Sequence, residues 1–215
     1  MPRLAALVLM LFCATCVFAQ PKADSSRSEA LEALTSRDVA QRAGAVTWIA
    51  THGKPSDAET LVQRLTDESP LVRNYAEQGL WVLWSRSGDE AIDALMAKGV
   101  AEMDGGQLKK SIATFSEIVR REPAFAEGWN KRATALFLAG ELKRSLADCD
   151  EVLKRNPYHF GALAGYGQIY FQLQQYGKAI EYWKRALRVN PNMSGVEMSI
   201  KGTEQLLAER RKNSA

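Results

Sequence analysis

The sequence contains few of the side chains that carry out covalent, redox or metal chemistry. It has 3 cysteines and 2 histidines in 215 residues. Cys13 and Cys16 lie in an apolar N-terminal segment, so that removal of this segment would leave Cys149 alone. A single cysteine cannot form an internal disulfide, which excludes a disulfide-stabilised fold for the remaining chain. Packing of apolar side chains must therefore hold that chain together.

The same scarcity argues against a catalytic or metal site. His52 lies beside a predicted turn and His159 is expected to start a helix, and neither has a second ligand at helical spacing. Cys149 shares a core position with two aromatic residues and is expected to be an inert, buried thiol. Asp148 and Asp150 are expected to be solvated on the helix surface. We predict no catalytic residue, no metal ligand and no cofactor site, and hence no enzyme.

Long apolar runs and an excess of one charge are also missing. The formal net charge is +3, which gives no basis for nucleic-acid binding. The apolar run from Leu4 to Phe18 is too short for a comfortable transmembrane helix, but it follows a basic start and ends in small residues at Val17 and Ala19. We therefore predict a signal peptide at residues 1–19 and no stable membrane insertion after its cleavage. The alternative is an uncleaved N-terminal anchor.

A fixed repeat period is the main positive feature of the sequence. Pro123, Pro157 and Pro191 are equally spaced, and Gly99, Ala133 and Gly167 have the same spacing. Such a period, of about 34 residues, predicts stacked helical hairpins, with turns near residues 104–106, 139–140 and 174–175. A small side chain lets two helices approach closely, and the proline ends each repeat because it lacks an N–H. These six residues are therefore the predicted structural positions of the repeat.

The repeated positions resemble the tetratricopeptide repeat (TPR) family over about residues 90–191. The third copy carries the clearest pattern, with Leu163, Gly167, Tyr170, Ala179, Trp183, Ala186 and Pro191. The resemblance implies three TPR hairpins in a right-handed superhelix. Residues 194–212 are predicted to form a capping helix with one solvated face.

Residues 25–86 repeat with a different, slightly shorter period. Arg42 recurs as Arg73, and Ile49 recurs as Leu80. The segment that leads into the second arginine resembles the HEAT repeat family, which implies two helical pairs. Trp81 and Trp84 are expected to seal the junction between the halves. We predict an all-α fold, an α-solenoid in which two HEAT-like pairs lead into three TPR repeats as one continuous superhelix.

The TPR resemblance implies that the first helix of each repeat lines a concave groove. The groove should suit an extended peptide or an amphipathic helix of another protein. Its candidate residues are Asn130, Thr134, Phe137, Leu138, Gln168, Phe171 and Gln172. The alternative is that the terminal helix folds across the concavity and fills it. A carboxylate-binding clamp is not expected, because Met96 stands where the family's lysine would precede Asn130.

The stretches from Phe125 to Thr134 and from His159 to Gly165 are similar to small exported TPR proteins of proteobacteria. This similarity implies a periplasmic location and supplies no activity. The predicted function is a non-catalytic protein–protein interaction scaffold of the cell envelope. One alternative is an accessory factor or enzyme in the assembly of peptidoglycan or lipopolysaccharide, and another is a purely structural assembly or dimerisation unit.

Overall fold

A computed structural model describes residues 27 to 213, which form eleven α-helices and one short 3-10 turn. The predicted signal peptide at residues 1–19 lies outside the described residues. This described range contains no β-strand, so the all-α prediction is confirmed. The front half consists of α1 (Arg27–Ala33), α2 (Val39–His52), the 3-10 turn (Pro55–Asp57), α3 (Ala58–Arg64) and α4 (Pro70–Trp84).

The second half is a series of helical hairpins followed by one long helix. Within each hairpin the two helices pack together, as α5 with α6, α7 with α8 and α9 with α10. The second helix of each hairpin then packs against the next element in the chain. The helices are α5 (Glu90–Asp104), α6 (Leu108–Arg121), α7 (Ala126–Leu138), α8 (Leu142–Arg155), α9 (Phe160–Gln172), α10 (Tyr176–Val189) and α11 (Ser194–Asn213).

Close helix crossings explain the small residues at the repeated position. A Cβ atom added to Gly99 would lie 2.5 Å from the ring of Phe115, and one added to Gly167 would lie 2.2 Å from the indole of Trp183. Ala133 occupies the same place in the second hairpin and is buried. Phe115 and Trp183, each in the second helix of its hairpin, fill the space that the missing side chain of the glycine leaves.

The hairpin turns repeat with the same period. The second residue after the first helix of each hairpin has a positive φ, which is 70° at Gly106, 77° at Gly140 and 57° at Gln174. In each turn the next backbone N–H donates to a carbonyl near the end of that helix, at 2.8 to 2.9 Å. This bond satisfies a carbonyl that has no partner within the helix. Gln174 adopts the left-handed conformation without being glycine, at a cost of about 1–2 kcal/mol.

The prolines lie between hairpins, where they end one repeat and precede the next. Pro123, Pro157 and Pro191 each follow the last residue of the second helix by one extended residue. Steric contact with the proline ring disfavours the helical conformation at that preceding residue. The preceding φ angles are −130° at Glu122, −139° at Asn156 and −125° at Asn190.

The front half has its own apolar core and a buried ionic tie. Arg42 is buried and its guanidinium donates two hydrogen bonds to the carboxylate of Asp67, both at 2.9 Å. Arg73, at the equivalent position of the next unit, donates to the backbone carbonyls of Asp67 and Glu68 at 2.8 and 3.1 Å. The two arginines at the repeated position therefore hold the same turn between α3 and α4. The HEAT-like assignment of these helices stays a prediction.

The two halves meet through the third hairpin. Trp81 and Trp84 contact the ring of Phe160, with ring centres 5.1 and 5.2 Å apart, and Phe160 belongs to the core of the front half. Arg73 donates to the side chain of Asn192 at 3.0 Å. The two tryptophans thus seal the junction as predicted. Within residues 27–213, the apolar core of the front half includes Phe160, Val189 and Met193 from the third hairpin and the loop after it, but no residue of α5.

The glycines of α9 provide a test of the close crossing. Gly167→Ala should destabilise the protein by about 1–3 kcal/mol, because the added methyl group would overlap Trp183. Gly165→Ala is the matched control in the same helix, where an added Cβ meets nothing within 4 Å. The control should leave stability unchanged or raise it by up to about 1 kcal/mol. Urea unfolding followed by circular dichroism measures both, and equal effects would disprove the packing described for Gly167.

Candidate functional site

A cavity of about 150 Å³ opens between α7, α8 and α9. Eleven residues line it, and none of them carries a charge. The apolar part of the wall includes Phe137 and Ile169, and Gly165 of α9 leaves room, since an added Cβ there would meet nothing within 4 Å. The other residues of the wall include Asn130, Thr134 and Gln168.

Four of the seven predicted groove residues line this cavity, and three do not. Asn130, Thr134, Phe137 and Gln168 are part of its wall. Phe171 instead packs against the rings of Tyr176 and Trp183, with centroid distances of 5.3 and 5.9 Å. Leu138 and Gln172 are exposed beyond the cavity. The assignment of all seven residues to a partner-binding groove therefore stays a prediction.

The amide and hydroxyl groups of the cavity are held in different ways. Asn130 is mostly buried, and its Nδ2 donates to the two carboxylate oxygens of Glu127 at 3.2 and 3.1 Å. Thr134 Oγ1 donates to the backbone carbonyl of Asn130 at 3.0 Å. Gln168 is exposed and its side chain makes no hydrogen bond to any described residue. A ligand would thus meet one fixed amide and one free amide.

A buried carboxylate and a buried imidazole lie directly behind the cavity. Glu127 and His159 both have fully buried side chains, and His159 Nε2 lies 2.9 Å from Glu127 Oε2. His159 is the N-terminal cap of α9, because its Nδ1 accepts the backbone N–H of Ala162 at 3.0 Å. Since Nδ1 accepts, the proton of the neutral imidazole is on Nε2 and is donated to Glu127. The pair joins α7 to the start of α9.

Three partners keep Glu127 ionised despite its burial. Burial by itself would raise the pKa of Glu127, but the hydrogen bond from His159, the charge of Lys131 and the amide of Asn130 outweigh it, so that the pKa lies below its usual value. Lys131 Nζ is 3.3 Å from Glu127 Oε1. The side chain of Glu127 is thus fully used by the protein.

The same histidine is the contact point of the front half. The indole of Trp84 stacks on the imidazole of His159 with centroids 4.6 Å apart and planes 20° from parallel, and Trp81 contacts it edge-on at 5.6 Å. The predicted helix-start position of His159 is correct, but its burial was not predictable from the periodic pattern. One cue is visible in the sequence, because α7 has the charged residue Glu127 at the repeat position where α9 has Gly161.

The structure bears on two predictions in α8, one for the thiol of Cys149 and one for the carboxylates of the neighbouring Asp148 and Asp150. Burial raises the pKa of the Cys149 thiol to about 12, with a smaller effect of the Asp148 and Asp150 charges, so the thiol stays protonated. The prediction of solvated carboxylates is wrong for Asp148, whereas Asp150 is exposed as predicted. Asp148 is buried and accepts two hydrogen bonds from Arg132 at 2.7 and 2.8 Å, and Asp150 accepts the hydroxyl of Tyr166. Both carboxylates connect α8 to a neighbouring helix.

Searches for other kinds of site give negative results within the described residues. In the range 27–213, no three side chains among His, Cys, Asp and Glu come together as a group that could hold a metal ion. Over the same range no helix combines the length and the apolar character needed to cross a membrane.

A larger cavity of about 410 Å³ lies along the seam between the front half and the loops that precede α7 and α9. Two arginines form part of its wall. Arg86 donates to three backbone carbonyls at the end of α2, those of Thr51, Ala50 and Gly53, at 2.6, 2.9 and 3.1 Å. Arg155 pairs with Glu151 at 2.6 Å and also donates to the carbonyl of Pro123. Both cations are occupied by the protein itself.

Comparison with known families agrees with this architecture. Two models of the tetratricopeptide repeat match the chain, one over residues 96–160 and the other over residues 163–193. Residues 96–160 and 163–193 are tetratricopeptide repeats. A TPR repeat-containing protein of Rhizobium etli is 28% identical over 108 residues, which are 50% of this chain and 53% of that protein. The chain therefore spans about half the length of this relative.

Solved structures share the fold of part of this chain. The TPR domain of Sgt2 from Aspergillus fumigatus aligns over 59% of this chain and 85% of that one, with a TM-score of 0.56 and 19% identity. The first TPR of Spaghetti, bound to an HSP90 peptide, covers 54% and 93% with a TM-score of 0.53 and 22% identity. MamA from Desulfovibrio magneticus covers 74% and 89% with a TM-score of 0.51 and 17% identity. At these identities the likeness establishes the fold.

The two histidines of the chain allow a matched test of the buried pair. His159→Ala should destabilise the protein by about 3 kcal/mol, because it removes a helix cap and a hydrogen bond to a buried carboxylate. His52→Ala is the control, since His52 is exposed and should matter little. Urea unfolding measures the difference. A loss of stability as small for His159 as for His52 would contradict the buried pair.

Proposed function

We propose that the TPR half binds a segment of another protein, with the cavity between α7 and α9 at the centre of the contact. The observation that carries this proposal is the open, uncharged cavity on the helices that come first in their hairpins. A concave apolar site with a few placed polar groups suits ligand binding. One structural neighbour, the first TPR of Spaghetti, is bound to a peptide of HSP90. Binding of the same general kind, to a protein segment, is what we propose for this chain.

We further propose that the protein acts in the cell envelope after export to the periplasm. The support is the N-terminal sequence, in which a basic start, an uncharged apolar run and small residues before Gln20 fit a cleavable signal. Mass spectrometry of the protein from fractionated cells tests this. Intact Met1 on a cytoplasmic protein would refute export.

Site-specific photo-crosslinking tests the binding site in living cells. A benzophenone amino acid at Gln168, which lines the cavity and is exposed, should crosslink to a discrete partner protein. Gly165→Leu should abolish this crosslink, because the new side chain enters the cavity without meeting any atom within 4 Å at its Cβ.

Two controls make the result specific to the cavity. Gly202→Leu adds the same side chain to an open position of α11 and should leave the crosslink unchanged. The photoreactive residue at Glu181, exposed on α10, should not give the same product. A crosslink that persists in the Gly165→Leu variant would refute the proposed site.

A further inference from the structure

The volume of the cavity limits what can enter it. Its size is about 150 Å³. An apolar cavity of roughly this volume in another protein accommodates benzene. The space therefore fits one side chain of the size of leucine, methionine or phenylalanine, and it is too small for a helix face with several such side chains.

The chemistry of the wall selects an apolar group for that space. Ala133 and Phe137 of α7 face Ile169 of α9 across the cavity, and Cys149 of α8 contributes a protonated thiol. A protonated, buried cysteine behaves as a small hydrophobic residue. An apolar side chain that enters this cavity is stabilised because its surface is removed from water.

The distribution of charge argues against an ionic partner. No lining residue is charged, and the nearby Glu127 is already bonded to His159, Asn130 and Lys131. A lysine or glutamate side chain that entered the cavity would lose its hydration without gaining an opposite charge. The wall of the cavity therefore offers no opposite charge to a residue at or beside the anchor.

Unpaired amide groups at the rim suit the backbone of an extended chain. Asn130 Oδ1 accepts no hydrogen bond from the described residues, and Gln168 has both a free donor and a free acceptor. A peptide backbone offers the complementary N–H and C=O groups. Trp81 closes the approach at the start of α9, since a Cβ added to Gly161 would lie 2.4 Å from its ring. Among the lining residues, Thr134 and Gln168 are exposed, so the ligand enters from their side.

From these features we infer that the bound segment is an extended, uncharged peptide anchored by a single leucine, methionine or phenylalanine side chain. The inference rests on the proposed function and specifies its partner. The peptide backbone pairs with the amides of Asn130 and Gln168 while the anchor fills the cavity. Because no ion pair contributes, its affinity is nearly independent of salt.

Selection from a phage-displayed library of random dodecapeptides tests this specification. The full chain is used with Cys13→Ser and Cys16→Ser, which leave Cys149 as its one cysteine, and it is immobilised on a support. The Gly165→Leu variant is screened in parallel, and Gly202→Leu is the control. Selected sequences should share one leucine, methionine or phenylalanine with uncharged neighbours. They should bind Gly165→Leu at least about tenfold more weakly than the parent, and Gly202→Leu equally well.

Binding of a labelled synthetic copy of the best peptide is then measured by fluorescence anisotropy. Its Kd should change by less than about twofold between ~0.05 and ~0.5 M salt. Two results would overturn this inference and leave the proposed function standing, provided that Gly165→Leu still weakens binding. One is a set of selected peptides that share charged residues, and the other is a strong dependence of the Kd on salt. No enrichment over the bare support, or enrichment indifferent to Gly165→Leu, would overturn both.

Discussion

The buried contact between Glu127 and His159 connects three parts of the molecule. His159 caps α9 through Nδ1, donates to Glu127 of α7 through Nε2 and lies beneath the indole of Trp84 of α4. A hydrogen-bonded charge with no exposure to water has few alternative arrangements, because leaving it unpaired costs several kcal/mol. The pair therefore fixes the relative position of two TPR hairpins and of the front half.

The same network reaches the wall of the cavity. Asn130 donates to the carboxylate that accepts from His159, so the orientation of this amide depends on the buried pair. The front half also packs against this region, because the ring of Trp81 covers Gly161 at the edge of the cavity. The front half contributes no residue to the wall of the cavity, but it packs against Gly161, which lines it.

Much of the second half could be predicted from the sequence because its packing is local and periodic. The glycines at Gly99 and Gly167, the proline breaks and the hairpin turns each follow from a requirement that recurs once in every repeat. The junction could not be predicted in the same way. Trp84 and His159 are far apart in sequence, and no period relates a residue of one repeat type to a residue of the other.

Burial of charge was also missed, for a related physical reason. A carboxylate on a helix has the same local pattern whether it faces water or a partner on the next helix, so Asp148 gives no distinct cue without the fold. Asn130, Phe137 and Gln168, which were predicted on the first helices that line such arrays, do lie in the wall of one cavity, and their role in binding stays a prediction. Phe171 shows the limit of that reasoning, since it packs against Trp183.

A double-mutant cycle between Trp84 and His159 tests most directly whether the buried histidine joins the front half to the third hairpin. Trp84→Leu keeps an apolar side chain at the seam. His159→Asn keeps a helix-capping acceptor but also loses the Nε2 donor to Glu127, and the cycle subtracts this separate loss. Urea unfolding of the parent, the two single variants and the double variant gives the coupling free energy. The structure predicts about 1 kcal/mol. Additivity within about 0.3 kcal/mol would contradict the packing of the front half on the third hairpin.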